Sequence, residues 1–307
     1  MDISVILSKM STFLILLLIG YVFAKEKITG PEFNKVCSKL VINLFLTATI
    51  LDSVMNKEVA MTGSTLVYGT AMMYLMFSLC LVLGHFSPRL ALIKGGDTGL
   101  YRVLVCYMNT ALFAFPIIRE FYGGDALFYA SLSTIPFNLT LYTYGIIQLQ
   151  RRDVKSKINL RSILSVPLIA TLIAVLLFVL KLHVPEFIAN TVSTTAAATV
   201  PLSMLLVGSS LGAVSIKAAF TDKTLYKLTF VRLIICPLLI WLVFRGLMPD
   251  RMMLGTLVIL SAAPMGIVAT PLSISYGRDG VEASKGIFLS TILSMLTIPL
   301  LVILLKL

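Results

Sequence analysis

The sequence predicts an all-helical membrane protein of ten spans, arranged as two five-span halves inserted in opposite directions. Three observations lead there: a charge-poor composition, ten stretches of about bilayer length, and a repeat at a single offset. Apolar residues make up 58% of the 307 positions and charged residues 13%, against about 45–50% and 25% in an average soluble chain. At about 20 residues per spanning helix plus a short connection, the length accommodates roughly ten spans. A soluble core, an outer-membrane barrel of alternating polarity and a nucleic-acid binder are all excluded, although the net charge is +11. That charge faces a membrane surface instead.

The first half supplies spans from Val5 to Ala24, Leu40 to Met55, Thr62 to Gly84, Val103 to Ile118 and Ala126 to Leu149. Asp2 precedes the first of these where a secretory signal would carry basic residues, and no small-residue cleavage site precedes Lys25, so it reads as a helix. A basic segment from Arg151 to Arg161 divides the chain. The second half supplies Ser162 to Leu180, Ile188 to Val214, Leu225 to Phe244, Met252 to Tyr276 and Gly286 to Leu305. Spans 2 and 7 are the least apolar, the former through Asn43 and Thr47 and the latter through a run of Thr and Ala.

Of the 25 lysines and arginines, 17 fall on the connections 1-2, 3-4, 5-6, 7-8 and 9-10, and seven on the other face, with Arg232 inside span 8. Basic loops stay in the cytoplasm, so both termini are expected outside, in an integral plasma (inner) membrane protein. Cys37, Cys80, Cys106 and Cys236 belong to different spans and form no Cys-x-x-Cys pair, which points to packing rather than to disulfides or a metal.

Pro31-Glu32-Phe33 recurs as Pro185-Glu186-Phe187, and Tyr122, Gly123 and Asp125 recur as Tyr276, Gly277 and Asp279, both 154 residues later. Twice that offset is nearly the whole chain, which sets the halves at 1–150 and 151–307. Five spans is an odd number, so the second half enters the membrane from the opposite side. Inverted repeats of this kind are characteristic of secondary transporters, in which two similar halves exchange conformations about a central site.

Spans 4 and 9 carry helix breakers. Span 4 contains Asn109 and Pro116 before Tyr122-Gly123-Gly124-Asp125; span 9 contains Pro264, Gly266 and Pro271 before Tyr276-Gly277-Arg278-Asp279. Proline removes a backbone donor and frees groups that lipid cannot satisfy, so such breaks persist where they line a polar cavity. Ordinary proline kinks are the bland alternative for any one of them; their paired placement favours the cavity. With a slip of one residue, Asn109 falls opposite Pro264.

At these residues the sequence resembles the auxin efflux carrier family, which includes plant auxin exporters and bacterial permeases for malate, malonate and similar anions. The family pattern Asn-x-x-aromatic-x-Gly-x-Pro followed by Tyr-Gly is similar to Asn109-Thr110-Ala111-Leu112-Phe113-Ala114-Phe115-Pro116, then Tyr122-Gly123. Leu112 replaces the aromatic, and Ala114 the glycine. Further similarity lies in Pro201-Leu202-Ser203-Met204 with Gly208, in Arg232 before Cys236-Pro237, and in Ser290-Thr291 with Thr297-Ile298-Pro299. Where the family has Leu-Pro-Ala in span 2, this chain has Leu46-Thr47-Ala48.

The resemblance implies a scaffold of spans 1, 2, 6 and 7, a transport unit of spans 3–5 and 8–10, and a substrate at the crossing of broken spans 4 and 9. It implies an elevator carrier of small organic anions that works as a homodimer in lipid; coupling to a proton or sodium ion and uniport both stay open, and no nucleic acid or cofactor is expected. Half-helix N-termini at such a crossing hold a carboxylate without a full buried cation. Asn109, Thr110, Ser131, Thr134, Asn138, Ser290 and Thr291 are the candidate polar ligands, or else groups that cap broken ends and bond neighbouring helices. Arg232 either steers an anion, stabilises the transport unit, or snorkels to the cytoplasmic face. Asp52, Glu120, Asp125, Asp279 and Glu282 fall near or beyond span ends. A cation or proton exchanger of the same architecture, which needs paired carboxylates mid-membrane, is therefore the weaker alternative. An enzyme is not indicated: there is no His-Glu-x-x-His, no Gly-x-Gly-Asp and no phosphate-binding loop.

Overall fold

The structure is a computed structural model that describes residues 3–55, 63–150, 164–212, 214, 216–248, 250–278 and 280–307. Asp2, the segment Arg151 to Arg161 and Asp279 lie outside the described residues. The helices, in chain order, are α1 (Ile3–Lys25), α2 (Pro31–Asp52), α3 (Gly63–Leu90), α4 (Thr98–Cys106), α5 (Phe115–Ser131), α6 (Thr134–Thr140), α7 (Val166–Leu180), α8 (Glu186–Gly212), α9 (Lys223–Phe244), α10 (Arg251–Ala262), α11 (Ala269–Ser275) and α12 (Gly280–Leu304). Among the described residues the fold is all-helical, and its extended pairing is one isolated bridge between Met108 and Met265.

Six of the helices, α1, α2, α3, α8, α9 and α12, are long and apolar enough to cross a membrane. The other expected spans are shorter or divided. α7 has 15 residues, a rise of about 22 Å, and spans 4, 5 and 9 are cut into pieces. Several ends also move. Span 2 starts at Pro31 rather than Leu40, and span 10 at Gly280 rather than Gly286. In both, charged residues in the opening turns (Glu32, Lys35 and Lys39; Glu282 and Lys285) hide the helix start from hydropathy, whereas Pro31 and Glu32 suit a first turn.

The chain forms two compact units. One comprises Met1–Met73, Ala111–Ile135 and Leu164–Ala213; the other comprises Tyr74–Thr110, Pro136–Ile163 and Val214–Leu307. In the first unit α1 lies directly on the C-terminal half of α8. A Cβ at Gly20 would overlap the Leu205 carbonyl, and one at Gly208 the Leu17 carbonyl, so these glycines permit backbone contact between helices. The hydroxyls of Thr49 on α2 and Thr199 on α8 are 2.6 Å apart, so the small polar residues of these two helices pack on each other within one chain. Outward-facing Ile169, Leu172, Ile173, Leu176 and Val179 give α7 an apolar surface suited to lipid.

α2 widens into a π-type turn over Val41–Leu46, just before Thr47. The helix is thus distorted at the position where the sequence resemblance leads one to expect proline, and the Thr47 hydroxyl donates to the Ile42 carbonyl five residues back at 3.4 Å. Similar wide turns occur at Thr110–Ala114 before Pro116 and at Val231–Ile235 before Pro237, where the ring removes a donor from the next turn. Gly123 and Gly277 both have positive φ, +85° and +69°. They stand 154 residues apart, and each follows the tyrosine of the repeated motif.

Candidate functional site

The second unit contains the crossing. α4 begins at Asp97, whose carboxylate accepts from the Leu100 amide at 3.0 Å, and runs only to Cys106. From Tyr107 to Asn109 the backbone leaves the helix and meets the stretch after α10, where Ala263 and Pro264 break the second helix. The two segments run antiparallel. The Asn109 amide donates to the Pro264 carbonyl at 2.8 Å, and the Gly266 amide to the Tyr107 carbonyl at 2.8 Å, on either side of the Met108–Met265 bridge. Each break thereby satisfies backbone groups of the other, which matters where no lipid group can do so. A Cβ at Gly266 would lie 3.0 Å from the Tyr107 carbonyl oxygen and 3.2 Å from that of Met108, so the close approach depends on glycine.

Neighbouring side chains complete the backbone accounting. The Met265 amide donates to the Ser290 hydroxyl of α12 at 3.1 Å, and that hydroxyl donates to the Ile287 carbonyl. Arg232, in the wide turn of α9, is 0% exposed. Its Nε donates to the Ala263 carbonyl at 2.9 Å, Nη1 to Val105 at 3.3 Å and Nη2 to Leu260 at 3.5 Å. One guanidinium thus caps the C-terminal carbonyls of both α4 and α10. The Tyr107 hydroxyl donates to the Thr140 carbonyl at 2.7 Å.

Against this paired background several buried side-chain groups of the second unit have no hydrogen-bond partner, Thr229 and Thr297 among them, and of the described residues Asn109 is the one within a break. Asn109 is 4% exposed, and its side-chain Nδ2 has no hydrogen-bond partner. The Thr291 hydroxyl, fully buried one residue after Ser290, has none either. A buried unpaired donor is costly, on the order of 1–3 kcal/mol, unless a ligand supplies the acceptor.

A family model described as membrane transport protein matches residues 150–302. The chain is also similar to an uncharacterized transporter of Methanothermobacter thermautotrophicus, 27% identical over 305 residues with 94% of each chain covered. A second, from Methanocaldococcus jannaschii, is 25% identical over 297 residues, again with 94% of each covered. Residues 150–302 thus match the membrane transport protein family, and the two transporters extend the similarity over nearly the whole chain. The resemblance to auxin efflux carriers drawn from the sequence is borne out at that level, and with its apolar helices the protein is a multi-pass membrane protein.

The remaining sequence candidates fall in several places. Thr110 and Asn138 are buried in the second unit, with Thr110 donating its amide to the Met108 carbonyl. Ser131 and Thr134 belong to the first unit, where the Ser131 hydroxyl bonds its own helix at Phe128 and the Ser131 carbonyl accepts from Thr171 at 3.4 Å. Pro264 and Gly266 lie within a break, but Pro116 and Pro271 do not. Pro271 occupies the opening turn of α11, whereas Pro116 follows the wide turn Thr110–Ala114 within one continuous helical stretch, where its ring removes a donor. The snorkelling alternative for Arg232 is overturned by its complete burial on three carbonyls.

Sequence reasoning missed two charged clusters. In the first unit Asp52 is buried and ion-paired with Arg119 at 2.8 Å, and Lys9 meets Glu120 at 3.6 Å. In the second unit Arg278 pairs with Asp97 and donates to the carbonyls of Leu149, Gln148 and Gln150, closing the C-terminal end of the helical turn Ile146–Leu149. The only advance signal was an arginine directly after the Tyr276-Gly277 pair.

Proposed function

We propose that the protein is a secondary carrier of small organic anions, working by alternating access of elevator type. The observation that carries this reading is the buried, unpartnered side-chain amide of Asn109 at the meeting of two helix breaks that exchange backbone hydrogen bonds with each other. A carboxylate oxygen is the acceptor that such a donor lacks. Ten spans in two inverted halves fit the positive-φ glycines at one offset and the two facing breaks. The scaffold would comprise spans 1, 2, 6 and 7 and the moving unit spans 3–5 and 8–10. Cation exchange draws no support from Asp52, whose carboxylate is ion-paired with Arg119.

The carrier would sit in the plasma (inner) membrane with both termini outside, and act as a homodimer. The exposed face of α8, with Asn190, Thr191, Ser193 and Thr194, is more polar than lipid favours and supports a contact between copies there. All four native cysteines are buried, so single cysteines introduced at exposed Lys94 and Lys181 should label cleanly, the first from the cytoplasm and the second from outside. Proteoliposomes supplied with labelled malate, malonate and benzoate, with and without imposed proton or sodium gradients, test the function directly. Saturable uptake of at least one carboxylate is expected. Movement of sodium or protons with no carboxylate transported would replace this reading with the exchanger.

A further inference from the structure

We infer that Arg232 sets the sign of the charge that the crossing accepts, as a positioning residue that acts through the two helix breaks. The inference rests on the carrier reading above. α4 and α10 both end at the crossing, and a helix C-terminus carries about half an elementary negative charge. Left alone, these two ends would offset the partial positive charge of the helical segments that begin again at Thr110 and Ala269 and so weaken the hold of the region on an anion. Arginine stays protonated in proteins, and here its fully buried guanidinium spans Val105, Leu260 and Ala263, the carbonyl ends of both half-helices.

Among the described residues no carboxylate lies within ion-pair distance of Arg232; its remaining close neighbours include the thiols of Cys80 and Cys236. The cation therefore has the carbonyl ends of the two helices as its main counterpart. What the crossing then presents is the unpaired side-chain amide of Asn109, and a donor selects anions. The bond from Nε to Ala263 also fixes the residue just before Pro264, whose carbonyl accepts from the backbone amide of Asn109. Charge and position are thus coupled through one side chain.

The test compares malonate with its neutral diamide, malonamide, of nearly the same shape. Binding is read as thermal stabilisation of the purified full-length protein in detergent, and transport as uptake into proteoliposomes. The wild type should prefer malonate. Arg232→Gln should lose roughly ten- to a hundredfold of that preference, whereas Arg232→Lys, which keeps the charge but cannot span three carbonyls, should keep the preference and lose maximal rate. Because Arg232→Gln can fail to fold, Cys236→Asp provides a second route: a carboxylate beside the guanidinium cancels its charge while leaving its carbonyl bonds in place, and should erase the preference in the same way.

A purely structural cap would lower yield or rate in these variants and leave the malonate-to-malonamide ratio at the wild-type value, which would overturn the inference. So would a wild type stabilised equally by both compounds or by neither. Wild-type stabilisation by malonate without uptake of any carboxylate would instead sink the carrier reading, with the ratio in the variants still deciding the role of Arg232.

Discussion

The two helix breaks occupy corresponding places in the sequence, yet they are built from different materials. Tyr107–Asn109 breaks without proline or glycine and brings a polar side chain, while Ala263–Gly266 breaks through Pro264 and Gly266 and brings backbone alone. Each needs the other. The first takes its carbonyl partner from Pro264, and the second places its Gly266 amide on Tyr107. The difference teaches that two facing breaks need not be alike: one contributes a buried polar side chain, which the proposed carrier would use as its ligand donor, and the other contributes the close approach that holds it.

If that division is right, the largest structural effect should follow from filling the second break. Gly266→Val places branched carbons against the Tyr107 and Met108 carbonyls, and should cost about 2–5 kcal/mol through overpacking and lost backbone pairing. Thermal unfolding of the purified variant would show this as a sharply lower midpoint or a failure to accumulate. A Gly266→Val protein with wild-type stability would mean that the bridge does not hold the crossing together.

The first break should respond in function rather than in stability. Asn109→Ala should weaken carboxylate binding by about 1–3 kcal/mol, roughly five- to a hundredfold, while the protein still inserts and folds. Asn109→Asp should be worse, because a carboxylate there repels the anion it must hold. A cation exchanger reverses that order. Competition of unlabelled malonate against labelled substrate distinguishes the two, and wild-type affinity in both variants would reduce Asn109 to a helix-breaking residue.

Ser290 ties the breaks to α12 and should give an intermediate effect. In Ser290→Ala the buried Met265 amide loses its partner, at a cost of about 1–2 kcal/mol. A drop in melting temperature with little change in the relative affinities of different carboxylates is expected. A change in those affinities without a drop would make Ser290 a ligand instead of a support.

The helical, membrane-crossing character was legible because burial in lipid demands long apolar runs, and α1, α8 and α9 match those runs within a few residues. Helix starts in charged turns, as at Pro31 and Gly280, were not legible, because hydropathy reports the solvent around a side chain and not the bonding of its backbone. At the site, the register of Asn109 opposite Pro264 could be read from the repeat offset. The roles of Arg232 and Ser290 could not. Both act on carbonyls or amides far away in sequence, and no local pattern encodes which backbone groups a break leaves free.

The smallest expected effect concerns a distortion made with no proline. α2 widens at Val41–Leu46 although Thr47 stands where proline would be expected. Proline inside a regular helix costs about 3 kcal/mol, from the lost bond and the clash with the carbonyl four residues back. Here both penalties are reduced. The Thr47 amide donates only to the Leu44 carbonyl, three residues back, and the π-type turn has already spread the carbonyls that the ring would meet. Thr47→Pro should therefore cost less than about 1 kcal/mol, whereas Leu17→Pro, in the unbroken and buried middle of α1, should cost at least about 3 kcal/mol. Thermal unfolding of the two variants side by side measures the gap. Equal losses would show that the wide turn in α2 depends on Thr47 itself, through its hydroxyl bond to Ile42, and not on the packing that surrounds it.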